Sequence, residues 1–535
     1  MFSELSLTCI RILTRLLPFL LEKSDVPYID DMFWDEESPL SLADQTGEGK
    51  TVEDDEEEEE ESTDPLAVIL ISAIYRLLFL PGFTVDADVL SLFEDEANST
   101  HNLRTALLWD GGGVIPHIDL AATSSIPFSQ SEQALQDISS SIYRASHLDS
   151  NRIEVLRLLM SCLCDPLYQE SGEYDPTHSP WLEVATSSQV PLSDVLFSSL
   201  INVAFGYDPI GWGIPYSGSM VTDIPQQLMD ISLQLLLLLL DYGHPFDYSS
   251  TPPSPQDTEQ QEGQQQLSQS GQYMHPSHDI PLVQIDDVNS RGYNVYRRHI
   301  GQINRTNALN FIISGFIRLL NNVHEAQNTY LPYSITQIDC HQELLILLWK
   351  FMDESPVFVH HLIAKKSTND LLIPLVFFMF KGKSDPSKVS LVHTCAFILL
   401  RLSGEREFCV GLNTPYMLSL PIDMPLFKGT HADLVFIMLH KMVVCDNSKL
   451  SPLYLCFLTI MANVSPYCKS LSPVSSVKLV NLFDVFTSPR FLYAAEGNHV
   501  YVSLLLDVFN NLIQYQYEGN FHLVYAILRR KEVLL

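Results

Sequence analysis

The sequence lacks an apolar run long enough to cross a membrane. Its most apolar stretch, ISLQLLLLLL at residues 231–240, lies between two acidic residues, Asp230 and Asp241. A helix of ten residues is about 15 Å long, whereas the core of a bilayer is about 30 Å thick. A short helix that is apolar on every side is instead typical of a protein core. The pattern therefore predicts a buried helix that contains Leu235–Leu240.

Basic residues are scarce. The chain of 535 residues has 31 lysines and arginines against 65 acidic residues, which gives a net charge of −34. Residues 1–64 hold 20 of the acids and only 4 of the bases. Binding to nucleic acid depends on a basic surface, and attraction to anionic lipid depends on basic clusters. The composition therefore argues against nucleic acid as a partner and against a purely electrostatic membrane contact.

Paired cysteine motifs are also missing. Nine cysteines are scattered along the chain, no CxxC motif occurs, and Cys162 and Cys164 form the one close pair. Several others, such as Cys395 and Cys456, lie within apolar runs. Buried free cysteines are common in reducing compartments, where disulfides are rare. The pattern predicts reduced, buried thiols in a cytosolic protein.

Motifs for catalysis, metal binding or nucleotide binding are absent or incomplete. Residues 49–51 (GKT) resemble the end of a phosphate-binding loop, but Asp44 occupies a position where that motif requires glycine. No HExxH or GxSxG motif occurs, and residues 216–219 do not match the latter. His360 and His361 are adjacent, so they point to different faces of a helix and do not readily share a metal.

Three further polar groups have both a functional and a structural interpretation. Residues 339–341 (DCH) suggest a metal cluster, but consecutive side chains diverge on a helix, which favours a helix start. His393 and His431 have no ligands at metal spacing, which favours hydrogen-bonded structural histidines. Residues 403–407 form either a binding loop or a turn in which Arg406 pairs with a glutamate, and the preceding helix end favours the turn. The sequence thus nominates no catalytic, cofactor-binding or metal-binding residue and no small-molecule substrate.

Helical patterns fill most of the remaining chain, and strand signals are sparse. Helix starts are indicated by Asp64-Pro65, by Asp385-Pro386 and by the capping box at residues 430–433, and Gly404 indicates a helix end. The predicted helices span 3–22, 66–80, 150–164, 191–205, 224–241, 306–321, 335–352, 356–366, 369–380, 386–402, 430–444, 451–463, 474–486, 499–514 and 520–530.

The first predicted helix is amphipathic. Its apolar residues recur at helical spacing and predict one buried face, consisting of Leu5, Cys9, Ile12, Leu13, Leu16, Leu17 and Leu20. The neighbouring acids favour packing against other helices over a contact with a membrane surface.

Together these patterns predict an all-α protein, an irregular α-solenoid of HEAT/armadillo-like helical hairpins with disordered acidic and Gln/Pro-rich insertions. Each hairpin has more apolar surface than it can bury alone, and stacking of hairpins covers it. Residues 96–149 are predicted to be a long loop. The predicted segments are an amphipathic helix at 1–23, an acidic disordered insertion at 24–64, an N-terminal helical part at 65–245, a disordered linker at 246–290 and a C-terminal helical part at 291–535.

Several long strings resemble one protein family. They are YDPIGWGIPY at 207–216, HQELLILLWK at 341–350, SLVHTCAFILLRLSGEREFCVGLNTPY at 390–416, GTHADL at 429–434, NVSPYCKSLS at 463–472 and VFNNLIQYQYEGN at 508–520. In these strings the chain resembles the high-temperature-induced dauer-formation protein family, which is distantly related to dymeclin.

The resemblance implies a cytosolic, non-enzymatic protein that is attached peripherally to Golgi membranes near the trans-Golgi. It implies trafficking proteins and the Golgi membrane as partners, and a role in cargo sorting and in the formation of dense-core secretory vesicles. Members of the family resemble myristoylated proteins with glycine after the initiator methionine, whereas this chain begins Met1-Phe2. It also stops at YAILRRKEVLL, where the family continues, so we expect a fragment, a mispredicted gene or a short isoform.

Two other functions fit the residues. An α-solenoid adaptor elsewhere in the cytosol, with an acidic surface that binds basic peptides or protein cargo, fits the net charge of −34. An enzyme whose site is assembled only in space would show a deep pocket that gathers histidine, aspartate and cysteine or serine side chains.

Overall fold

A computed structural model describes residues 2–22, 27–34, 64–89, 104, 106–109, 134–168, 179–209, 224–243, 294–328, 335–365, 367–417, 425, 427–445 and 448–530. Within these ranges the regular elements are helices, and strand pairing is limited to two isolated bridges, Pro81–Val85 and Pro415–Thr430. The predicted all-α class is confirmed. In the same ranges, no helix combines the length and the apolar character that a membrane span requires.

Short turns and 3₁₀ helices separate the α-helices. These are α1 (Phe2–Leu21), α2 (Pro27–Trp34), α3 (Leu66–Leu77), α4 (Ala134–Cys162), α5 (Pro180–Thr186), α6 (Ser193–Gly206), α7 (Ile224–Asp241), α8 (Val295–Gln302), α9 (Thr306–Asn328), α10 (His341–Glu354), α11 (Pro356–Ala364), α12 (Thr368–Gly382), α13 (Val389–Ser403), α14 (Arg406–Gly411), α15 (His431–Val444), α16 (Tyr454–Val464), α17 (Pro473–Thr487), α18 (Pro489–Leu492), α19 (His499–Gln516) and α20 (Phe521–Arg529).

The chain divides into two compact units. Unit 1 takes residues 1–109, 126–200 and 234–299, and unit 2 takes residues 110–125, 201–233 and 300–535. The predicted linker at 246–290 and most of the predicted acidic insertion lie outside the described residues. The predicted division into five segments stays a prediction.

In unit 1, α1 packs on α4, and α3 packs against α2, α4 and α5. The leucine-rich run is largely buried, as predicted: Leu235, Leu236, Leu239 and Leu240 are closed to solvent, and Leu237 and Leu238 are half-buried. Each fully buried leucine contributes roughly 1.5–3 kcal/mol of apolar transfer free energy.

The predicted buried face of α1 is wrong in part. Leu17 packs inwards as predicted, together with Ile10 and Leu21, whereas Leu5 and Ile12 are 65% and 58% exposed. Both stripes recur at helical spacing, so periodicity alone does not choose between them. The contact with α4 determines which side of α1 is buried. An ion pair of 3.2 Å between Arg11 of α1 and Glu154 of α4 accompanies this contact.

Three other local predictions differ from the structure of unit 1. Residues 27–34, inside the predicted acidic insertion, form α2, in which Phe33 is buried edge-on against Trp181. Residues 134–149, inside the predicted loop, belong to α4. Asp64 does not cap α3, whose N-cap is Pro65 with no side-chain hydrogen bond.

The helices of unit 2 contact one another in two rows. One row runs α9, α12, α15, α17 and α20, and the other runs α10, α13, α16 and α19, each helix packing on the next in its row. Cross-contacts pair α9 with α10, α12 with α13, α15 with α16 and α17 with α19. Each pair of helices therefore forms a layer that touches the layers before and after it.

The predicted caps of unit 2 are largely confirmed. Thr430 and Asp433 form the capping box of α15, and the Asp433 carboxylate accepts a hydrogen bond of 2.8 Å from the Thr430 backbone N–H. Asp385 caps a 3₁₀ turn ahead of α13, with Ser387 N–H donating at 3.0 Å. Helix α13 ends before Gly404, which keeps a right-handed φ of −69°, so the glycine does not act through a left-handed conformation.

Asparagine side chains join successive layers of unit 2. Each one bonds to a residue roughly one layer away in the chain; two of the six partners are backbone carbonyls and four are side chains. These contacts are Asn310 with His361 (3.0 Å), Asn369 with Thr414 (2.8 Å), Asn413 with Tyr467 (2.9 Å), Asn463 with Ser403 (3.0 Å), Asn511 with Ser465 (3.1 Å) and Asn520 with Cys468 (3.0 Å).

Candidate functional site: a cleft between α11 and α14

Unit 2 contains a cleft of about 490 Å³ between α11 and α14. Its volume falls in the range of cavities that hold small ligands or short peptide segments. The lining residues come from α11, the start of α12, the end of α13, α14 and the turn after it. They are Pro356, Val359, His360, Ile363, Ala364, Thr368, Asn369, Arg401, Glu405, Glu407, Val410, Gly411 and Thr414.

The apolar wall of the cleft is one face of α11. Ser355 caps this helix by accepting a hydrogen bond of 3.2 Å from Phe358 N–H, and Pro356 occupies the first turn. Phe358 is buried in the core. Residues 356, 359, 360, 363 and 364 share another side of the helix and line the cleft. Val410, 38% exposed, lines it from α14.

The charged rim comes from the turn between α13 and α14. Arg401 and Glu405 form an ion pair at 2.8 Å across one helical turn. Arg406 and Glu407 lie 3.5 Å apart with side chains 72% and 69% exposed. The predicted turn with a local arginine–glutamate pair is confirmed, and Glu405 and Glu407 also line the cleft. An ion pair this exposed is weak, so Glu407 is open to a competing cation.

Asn369 supplies an acceptor that has no donor. Its amide Nδ2 donates to Thr414 Oγ1 at 2.8 Å and to the Gly411 carbonyl at 3.4 Å. Those contacts fix which side of the amide is nitrogen, since a carbonyl oxygen requires a donor. The Oδ1 atom is shielded from solvent and accepts no hydrogen bond. A buried polar atom without a partner costs roughly 1–3 kcal/mol.

The candidate histidines separate as predicted. His360 lines the cleft, whereas His361 turns away and pairs with Asn310 Oδ1 at 3.0 Å. His431 is hydrogen-bonded through Nδ1 to Thr414, at 3.0 Å from both its hydroxyl and its carbonyl. The hydrogen bond expected for His393 is not found at Nε2, which is buried without a partner.

The DCH sequence at 339–341 is a helix start, as predicted. Cys340 is the residue before α10 and contacts the Met229 sulfur at 3.7 Å, while His341 packs edge-on against Phe378 at 5.1 Å. Burial lowers the pKa of His341. Within the described ranges, no group of three or more histidine, cysteine, aspartate or glutamate side chains is arranged to hold a metal ion. The sequence candidates at 49–51 and 216–219 lie outside those ranges.

All nine cysteines are free, and five of them are buried. Burial raises the pKa of Cys409 to about 12 and that of Cys456 to about 11. Thiols with such values are protonated at neutral pH and are poor nucleophiles. The prediction of reduced, buried thiols holds for most of them, with Cys9 exposed on α1.

Comparison with known proteins decides the family. The family model of the high-temperature-induced dauer-formation protein, Hid1, matches residues 3–535. The chain belongs to the Hid1 family. It is 36% identical over 533 residues to Protein HID1 of Homo sapiens, covering 99% of this chain and 60% of the human protein. Protein HID1 of Dictyostelium discoideum is 32% identical over 467 residues, covering 87% of this chain and 47% of that protein.

A more distant relative comes from Schizosaccharomyces pombe. The Ubp5-interacting protein ftp105 is 25% identical over 569 residues, covering 99% of this chain and 58% of that protein. The chain thus spans about 60% of the length of the human relative that it matches. No solved structure matches the chain.

Sequence reasoning did not find the cleft. It considered His360 and residues 403–407 separately, and it gave Asn369, Ala364 and Val410 no role. The lining residues extend from 356 to 414 and come from four helices, so they meet only once those helices are packed. The one available signal was the charge cluster at 405–407 that follows an apolar helix.

Proposed function

We propose that the protein is a non-enzymatic adaptor that attaches peripherally to the cytosolic side of Golgi membranes. In this role it holds trafficking proteins near the trans-Golgi and supports cargo sorting and the formation of dense-core secretory vesicles. The observation that carries the proposal is the match of residues 3–535 to the Hid1 family model, because resemblance to that family implies this role.

The helical architecture supports a scaffold. We infer that unit 2 is an irregular α-solenoid of HEAT/armadillo-like hairpins, since its helices contact in two rows and each layer touches its neighbours in the chain. Stacked hairpins of this kind present extended surfaces for protein partners. The name of the fission-yeast relative, Ubp5-interacting protein, describes a protein–protein interaction for that relative, and binding of protein partners is what we propose for this chain.

A second candidate function is that of a cytosolic adaptor for basic peptides away from the Golgi. It is favoured by the net charge of −34. An acidic surface raises the local concentration of cationic partners and speeds their association.

Localisation in the cells that make the protein separates the two functions. An antibody against unit 2 would be used for immunofluorescence together with a trans-Golgi marker and a nuclear-envelope marker. The Golgi adaptor predicts overlap with the trans-Golgi marker that disperses when the Golgi is fragmented with nocodazole. A diffuse cytosolic or perinuclear-rim signal that ignores nocodazole would contradict it and favour the second candidate.

A further inference from the structure

We propose that the outer face of α20 binds a second copy of this chain, so that two α20 helices pair antiparallel across a two-fold axis. The outer face consists of Phe521, Tyr525 and Leu528, which are 62%, 67% and 62% exposed. The proposal goes beyond the adaptor function and does not depend on the Golgi assignment.

Helix α20 is covered on one side only. It packs on α17, and its residues Leu523 and Ala526 are buried. Phe521, Tyr525 and Leu528 recur at i, i+4 and i+7, so they form a stripe on the opposite side. In α15, which has a row neighbour on both sides, twelve of fourteen residues are buried, against two of nine in α20. The stripe therefore resembles a packing surface between layers, but no described helix covers it.

The exposed apolar area at α20 is large enough for an interface. Stacked helices require a polar outer face at the end of the array to stay apart in water, whereas α20 presents two rings and a leucine. Tyr517, 60% exposed, lies just before the helix. An aromatic side chain buries about 150–250 Å², so a symmetric pair would remove on the order of 1,000 Å² from water, near the lower limit for a specific interface. We therefore expect a reversible dimer of micromolar affinity.

The stripe is complementary to itself when the second helix runs in the opposite direction. Phe521 and Leu528 mark its two ends, and Tyr525 lies near its centre. An antiparallel pair thus sets Phe521 of each copy against Leu528 of the other and brings the two Tyr525 rings together at the axis. A two-fold interface uses the same surface on both copies, and this stripe meets that requirement.

The charges at the two ends of α20 favour the same direction. Glu518 precedes the helix and Arg529 lies in its last turn, both exposed, and neither has an ion-pair partner in the described part of the chain. In an antiparallel pair, Arg529 of each copy faces Glu518 of the other, whereas a symmetric parallel pair sets like charges together. An anionic lipid surface would repel Glu518, which favours a second copy over a membrane.

Sedimentation velocity with the purified chain tests the proposal. Between about 1 and 100 μM, a range that contains micromolar dissociation constants, the sedimenting mass should shift reversibly from 60.5 kDa to twice that value. A monomer over the whole concentration range would overturn the proposal.

Two variants locate the interface. Tyr525→Glu places a charge near the axis and should weaken the dimer at least tenfold, while the thermal unfolding midpoint stays unchanged because the side chain is exposed. Val357→Glu makes the same change of net charge at a 46% exposed residue of α11 and should leave the dimer intact. A dimer that survives Tyr525→Glu, or one lost equally in Val357→Glu, would overturn the proposal.

Charge reversal tests the direction of pairing. Glu518→Arg and Arg529→Glu each set like charges against one another and should each weaken the dimer about fivefold. The double variant restores opposite charges and should recover most of the affinity. A double variant that is as weak as the two single effects combined would overturn the antiparallel arrangement.

Flotation with vesicles tests a lipid surface as the other occupant. Vesicles of phosphatidylcholine with about one-fifth phosphatidylserine carry the negative charge of a cytoplasmic leaflet. We expect no flotation of the chain that depends on Tyr525. Flotation that Tyr525→Glu abolishes, in a chain that sediments as a monomer, would assign the face to a membrane and overturn the proposal.

Discussion

Units 1 and 2 bury their polar groups over different distances along the chain. In unit 1, the Tyr75 hydroxyl bonds to the Tyr296 hydroxyl at 2.7 Å and to the Ala185 carbonyl at 3.0 Å. In residues 356–530 of unit 2, buried polar contacts join consecutive layers, as when Asn520 donates to the Cys468 carbonyl at 3.0 Å. Unit 1 therefore needs distant segments in place at once, whereas a layer of unit 2 depends mainly on its neighbours.

This difference predicts two kinds of response to damage. A structure of stacked layers opens locally, with effects confined to a layer and its neighbours. In a unit held together by long-range contacts, the loss of one contact destabilises every segment that the contact joins. Mutations and pH changes that remove single buried contacts test whether the two units respond in these two ways.

The largest effect is expected for Asp433→Ala in unit 2. The carboxylate of Asp433, 1% exposed, accepts from Thr430 N–H at 2.8 Å and from Ser472 N–H at 2.7 Å. Removing it leaves two buried backbone N–H groups without an acceptor, so the free energy of unfolding should fall by about 4 kcal/mol. Hydrogen exchange should accelerate around residues 465–480 and remain unchanged in unit 1.

Two variants check the cause. Asp433→Asn keeps one acceptor oxygen and should recover part of the loss, and Asp507→Ala removes an exposed carboxylate with little effect. Faster exchange across unit 1 in Asp433→Ala would contradict a layered unit 2.

Acidification should destabilise unit 2 through His440. Its ring is buried, bonded to Asn481 at 2.8 Å, and desolvation lowers its pKa to about 4 from the usual 6.5. The neutral form is favoured in the folded protein, so this stability is present above pH 6.5 and is lost as the pH falls towards 4. At pH 4.5 the loss should be about 2.5 kcal/mol. Urea unfolding at pH 7 and 4.5 measures it.

Because carboxylates also titrate in this range, the His440 contribution is the difference from a variant. His440→Gln keeps a side chain that can donate to Asn481 but does not titrate. Between pH 7 and 4.5 this variant should lose about 2.5 kcal/mol less unfolding free energy than the unsubstituted protein. An equal loss in both proteins would show that His440 does not contribute to the acid sensitivity.

Tyr75→Phe should destabilise unit 1 by about 2 kcal/mol, since it leaves the buried Tyr296 hydroxyl and the Ala185 carbonyl with one partner fewer. Hydrogen exchange should accelerate near all three residues, although they are far apart in the chain. A double-mutant cycle with Tyr296→Phe should show coupling between the two hydroxyls. Additive effects of the two substitutions would show that the tyrosine pair does not join the segments.

The smallest effect is expected for Arg406→Ala. Arg406 and Glu407 are 72% and 69% exposed, and exposed ion pairs contribute little to stability. The midpoint of thermal unfolding should stay within experimental error. A clear destabilisation would show that the turn before α14 depends on this pair.

The sequence predicted local features better than contacts between helices. Helix α7 and the Thr430–Asp433 capping box were predicted from periodicity and cap residues within a few positions. The predicted buried face of α1 was partly wrong because apolar residues lie on both sides of the helix, and only the contact with α4 shows which side is buried. Helix α2 was missed because its acidic residues led to a prediction of disorder, and the burial of Phe33 depends on a contact with the distant Trp181.

The candidate site could not be predicted from the sequence because it, too, depends on contacts between different helices. The Asn369 amide nitrogen donates to Gly411 and Thr414, and those residues lie outside the helix that carries Asn369. Neither helix periodicity nor charge patterning reports which carbonyl faces which amide. The charged residues at 405–407 could be identified in the sequence, but their position beside α11 could not.

Membrane extraction of the protein in its own secretory cells tests the central claim most directly. A peripheral adaptor predicts that the protein sediments with Golgi membranes in isotonic buffer and moves entirely to the supernatant after a wash with alkaline carbonate. Retention in the washed pellet alongside an integral Golgi protein would contradict peripheral attachment. Absence from the membrane fraction before the wash would contradict the Golgi assignment.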